Sequence, residues 1–134
     1  MKGKAELVRG WLRKAFSDLA ALDASLQADA LDAACFHAQQ AAEKFLKAFL
    51  IHNAVDFPFT HNLSKLVDLC SACEAVFGSI KMQMASLTPY AVELRYDLEF
   101  WPDREVAEEA RLAALAVRDV VLKRLPEDIV AGIE

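Results

Sequence analysis

Residues 11–57 contain neither glycine nor proline. A chain without those two residues has no built-in place to turn, so helices there end only where side chains cap them. The whole sequence holds only 4 Gly and 4 Pro, fewer than a turn-rich β architecture needs. Alanine and leucine dominate while threonine and isoleucine are scarce, which favours helix over strand. The fold class that follows is all-α.

Apolar periodicity divides the chain into elements. Val8, Trp11, Ala15, Leu19, Leu22 and Leu26 recur at three- and four-residue steps, predicting a first helix over 4–26. Ser25 and Asp29 mark its break, with Asp29 as the expected N-cap of a second helix over 30–52. Residues 53–61, NAVDFPFTH, read as a loop that Asn53 opens. Thr60 is the expected cap of a third helix that stops near Gly78. A fourth helix is predicted over 79–96, kinked or restarted at Pro89 with Thr88 as a cap. A fifth covers 103–125, with Glu105, Glu108 and Glu109 early, Arg118, Lys123 and Arg124 late, and Pro126 ending it. Short links between long helices favour antiparallel neighbours. The predicted architecture is an up-and-down antiparallel helical bundle of four long helices plus a shorter fifth, as a single domain over 1–134 with its core at about 7–125.

A formal net charge of −5 argues against a broad electrostatic surface for nucleic acid, so DNA binding is not expected, although a local basic pocket is compatible with it. No apolar run approaches the ~20 residues of a membrane span. The N-terminus, MKGKAELVRGWLRKAF, has no apolar core or cleavage site of a signal peptide, and a cytoplasmic location is expected. Cys35, Cys70 and Cys73 are odd in number and lie within apolar helical patterns. Cys70 and Cys73 form a C-x-x-C, but without a second ligand pair all three read as buried thiols. Residues three before His37, His52 and His61 are Ala34, Phe49 and Pro58, so the Glu-x-x-His pairs of a bundle metal site are missing and no metal is expected.

The second helix carries the candidate site. His37, Gln40, Lys44 and Lys47 fall within about 80° of one another on a helical wheel, and Gln39 and Glu43 widen that polar face. Cys35, Ala38, Ala41, Ala42, Phe45, Leu46 and Phe49 lie opposite. Such a stripe is ordinarily the solvated face of an amphipathic helix, with Glu43 and Lys47 an i,i+4 pair worth at most a few tenths of a kcal/mol. His37 and Gln40 suit a groove better than a solubilising surface.

The run CFHAQQAAEKFLKAFLI (35–51), then FPFTHNLSKLV (57–67), then YAVELRY (90–96), resembles the prokaryotic HEPN domain family in order and spacing, over about 7–125. The resemblance implies a small helical bundle, often homodimeric, encoded beside a minimal nucleotidyltransferase. It also implies binding of a nucleotide or action on RNA, several such proteins being parts of toxin–antitoxin pairs. Ribonuclease members of the wider superfamily carry an arginine and a histidine separated by four to six residues. Arginine there stabilises charge on the scissile phosphate, and histidine moves the proton of the attacking hydroxyl. The matching arginine here is Arg95, but the spaced positions are Phe100, Trp101 and Pro102, so no catalytic residue carries over. The usual Arg-Tyr-Pro also reads Arg95-Tyr96-Asp97.

The expected function is a non-catalytic module binding a nucleotide, a nucleotidyltransferase partner, or both. Its ligand-binding residues would be His37, Gln40, Lys44, Lys47, His61, Arg95 and Tyr96. The alternative is a metal-independent ribonuclease toxin with an altered site, in which His37 or His61 replaces the missing histidine. Trp101 and Phe100 in the connection suggest a plug under the loop or a self-association patch.

Overall fold

The computed structural model describes residues 3–133, and every element in it is helical. Helix α1 (Lys4–Gln27) and helix α2 (Leu31–His52) form an antiparallel pair joined by a tight turn. The turn is a Schellman closure in which Asp29 N–H donates to the Leu26 carbonyl at 3.2 Å and Ala30 N–H to Ser25 at 2.9 Å. That closure needs a left-handed residue, and Asp29 supplies it at φ 56°. Asp29 therefore ends α1 rather than capping α2, whose N-cap is Ala30 with no side-chain bond. The end of α2 repeats the geometry, with Ala54 at φ 56°, Val55 N–H donating to Leu50 at 2.9 Å, and the Asn53 amide donating to the Phe49 carbonyl at 2.9 Å.

Helix α3 (Leu63–Cys73) starts two positions later than Thr60 predicts. Asn62 is the N-cap, accepting from Lys65 N–H, while the Thr60 hydroxyl accepts from Asn62 N–H at 3.0 Å. A 3-10 segment (Ala75–Ile80) leads into α4 (Lys81–Leu87), which is much shorter than the predicted 79–96. The chain restarts at Thr88–Tyr90 as a single 3-10 turn around Pro89 and continues as turns through residues 91–96. The Thr88 hydroxyl accepts from Leu63 N–H at 3.1 Å, so it serves the start of α3 instead of its own turn. Helix α5 (Arg104–Leu122) begins where Asp103 accepts from Val106 N–H at 2.9 Å, and a short α6 (Glu127–Val130) follows Pro126.

Helix α2 is the axis of the bundle. It packs against α1 and α5, with α3 and α4 also against it. Its residues are consequently buried on nearly every side, including Gln39, Glu43 and Lys47 of the face expected to meet solvent. Leu12, not Trp11, fills the core from α1; Trp11 is half-buried above Lys47. One apolar cluster runs from Val8 to Ile133, with Phe16 edge-on to Phe45 and Phe49 against Phe77. Cys35 and Cys70 are buried free thiols as read from sequence, but Cys73 is exposed. No described helix is long and apolar enough to cross a membrane.

Candidate functional site

The stripe on α2 resolves into two carboxylate-centred clusters, because a polar group under a bundle must find a partner inside it. The first centres on Asp18, which α1 places in its apolar stripe among Ala15, Leu19 and Leu22. Asp18 Oδ1 lies 2.9 Å from His37 Nδ1, and Oδ2 accepts from the Lys44 ammonium. The second centres on Glu43. Its Oε1 lies 2.7 Å from His61 Nδ1 and 3.1 Å from the Gln39 amide, and its Oε2 accepts from Lys47 at 2.9 Å. Gln39 also donates to the His61 carbonyl at 3.3 Å, and Gln40 donates to Gln39 at 2.6 Å.

Burial by itself would raise the Glu43 carboxyl. The hydrogen bonds from His61, Lys47 and Gln39 outweigh it and hold the group below its ordinary 4.5. Lys47 is enclosed further by three rings, Trp11, Phe57 and Phe59, with centroids 5.5–5.9 Å from its nitrogen. The Glu43 cluster thus fastens the 53–62 loop onto α2, and Lys47 is spent inside the protein.

Arg95 differs. Its guanidinium lies over the Phe36 ring at 4.3 Å and beside Tyr96 at 5.5 Å, with no acidic or hydrogen-bonding partner among the described residues. It lines a cleft of ≈ 490 Å³ between the first half of α2 and the 90–101 connection. His37 lines the same cleft, and so do Phe36, Tyr90, Phe100 and Trp101. Phe100 packs on Tyr90 at 5.6 Å, whereas Trp101 stands 74% exposed at the lip. Asp32 and Asp97 add negative charge to the wall. Behind Tyr90, burial pushes the Cys35 thiol up to about 11 against a lowering hydrogen bond from the tyrosine, and Cys35 stays a neutral packing group.

Of the seven residues singled out in the sequence, His37 and Arg95 therefore share one cleft, with Tyr96 exposed beside it. Lys47, His61 and, through Gln39, Gln40 belong to the Glu43 cluster. Lys44 holds Asp18 and also lines a separate shallow cleft of ≈ 500 Å³ with Trp11 and Lys14. Sequence reasoning missed Asp18, whose signal was a carboxylate at a core position of α1. It also missed Phe36, whose neighbour His37 drew attention instead. Among the described residues no three His, Cys, Asp or Glu side chains gather as a metal site.

A family model described as "HEPN domain" matches residues 8–125. No curated protein matches the sequence. Among solved structures, an archaeal HEPN homologue superposes with a TM-score of 0.70 at 22% identity, covering 92% of this chain and 98% of that one. At that identity the likeness speaks for the fold.

Proposed function

Because the chain belongs to the HEPN domain family, we propose that it is a non-catalytic, cytoplasmic binding module whose Arg95 cleft holds a nucleotide. The observation that carries this reading is a guanidinium without an acidic partner among the described residues, set beside four aromatic rings in one cleft of ≈ 490 Å³. That volume lies within the roughly 300–1,000 Å³ of small-molecule sites. A planar guanidinium stacked on a ring still offers its edge to a phosphate, and the rings offer faces to a base. Asp32 and Asp97 repel phosphate from their part of the wall, which directs it to Arg95, and they accept hydrogen bonds from amino or hydroxyl groups.

A homodimer working beside a minimal nucleotidyltransferase, within a toxin–antitoxin pair, completes the proposal. The exposed Tyr96, Leu98 and Trp101 at the lip support a protein partner there. In a thermal-shift experiment, ATP at about one hundred times its Kd should raise the Tm by roughly 10 °C. Arg95→Ala should abolish that shift while leaving the unliganded stability within about 0.5 kcal/mol of wild type, because Arg95 is an exposed residue. A folded wild-type protein that shows no shift with millimolar ATP, ADP or AMP overturns the reading.

A second reading rests on one specific observation: His37 shares the cleft with Arg95 and carries a carboxylate on Nδ1. That arrangement suits metal-independent RNA cleavage, with His37 taking the 2′-hydroxyl proton and Arg95 stabilising the phosphate. RNA degradation in EDTA by the purified protein, stopped by Arg95→Ala and by His37→Ala, replaces the first reading with this one.

A further inference from the structure

Asp18 is 9% exposed, and a carboxylate so placed is stable only with its charge and lone pairs answered. Both answers come from α2. His37 and Lys44 stand two helical turns apart on one face and meet the two oxygens of the same carboxylate. The Lys44 ammonium by itself balances the charge of Asp18. His37 then needs to contribute only an N–H, which a neutral imidazole supplies from Nδ1. The proton on Nδ1 leaves Nε2 with a lone pair, and Nε2 has no partner among the described residues. The ring lines the cleft that holds Arg95.

We propose that Asp18, itself held by Lys44, is a positioning residue that fixes the His37 ring with its proton on Nδ1, so that Nε2 accepts a hydrogen bond from a ribose hydroxyl. The cleft then selects ribonucleotides over deoxyribonucleotides, with the phosphate on Arg95. The choice of ligand rests on the nucleotide reading above; the state of His37 does not. An unprotonated Nε2 cannot donate to phosphate, so the division of labour between the two side chains follows from the carboxylate behind one of them.

Nitrogen-15 NMR of the histidine-labelled apo protein at neutral pH, with His37→Gln to assign the signal, tests the positioning directly. Nδ1 should be protonated and Nε2 bare in wild type. Asp18→Asn should keep that tautomer, since its amide oxygen still accepts from Nδ1–H, and Asp18→Ala should lose it. A wild-type His37 protonated on Nε2, or on both nitrogens, overturns the proposal, even where Asp18→Ala fails to fold. Titration with ATP, 2′-deoxyATP and 3′-deoxyATP tests the selection. Removing the hydroxyl that meets His37 should weaken binding about three- to tenfold, and the discrimination should vanish in Asp18→Ala. Equal affinity for all three sinks the ribose selection and leaves the nucleotide reading standing. Failure of all three to bind removes both, while the tautomer still decides the role of Asp18.

Discussion

Glu43 shows how far a buried charge departs from the surface pair its spacing suggests. Glu43 and Lys47 are four residues apart on α2, but their side chains are only 6% and 7% exposed, and Glu43 also holds His61 and Gln39. Removing one partner leaves the other charged and unpaired in the interior, so Glu43→Ala should cost about 3–5 kcal/mol in chemical denaturation, not a few tenths. The pH dependence follows from the same contacts. The folded-state pKa of Glu43 lies below 4.5, so its stabilisation is fully present above about that pH and is lost as pH falls through the folded value. Denaturation midpoints measured from pH 7 to pH 3 should fall less steeply in Glu43→Gln than in wild type; parallel curves would contradict this. The residue types of both clusters were legible in the sequence. Their pairing was not, because Asp18 and His61 come from elements 19 and 18 residues away from the residues they meet.

Among the elements, the two left-handed closures offer the cleanest test of local backbone energetics. Asp29 tolerates φ 56° better than Ala54 does at the same angle, because an Asp side chain can hydrogen-bond locally and an Ala has only the clash of its Cβ. Ala54→Gly should therefore stabilise the protein by about 1 kcal/mol, or a few degrees in Tm by calorimetry. At the opposite kind of terminus, Asp103→Ala removes the bond to Val106 N–H and should cost about 1 kcal/mol. Helices α1, α2 and α5 were legible to within a few residues, since amphipathic periodicity runs through them, even though Asp29 closes α1 instead of capping α2. The fourth was not. Ile80, Met84, Leu87 and Ala91 keep helical spacing and are all buried, yet α4 ends at Leu87 before Pro89. Apolar spacing reports which side chains face the core, and a 3-10 turn can satisfy it as well as an α-helix.

At the level of the whole molecule, burial sorts three chemically identical thiols. Cys73 is exposed, whereas burial raises Cys70 to about 12 and Cys35 to about 11. A thiol reagent should label Cys73 at once and the other two only through global unfolding, slower by on the order of a thousandfold or more. Fast labelling of all three would show that the core around α2 opens readily. The C-x-x-C is thereby split across the surface of α3, with Cys70 Sγ turned to the Leu46 carbonyl at 3.9 Å. What the sequence by itself determined is the helical class, the main boundaries and the polar character of one face of α2, because spacing and caps act over a few residues. Tertiary structure decided what that face does. By burying α2 on nearly every side it turned Lys44 and Lys47 into internal partners of Asp18 and Glu43. It left Arg95 facing the cleft with His37. The free energy of burying a charge depends on neighbours that no local pattern contains.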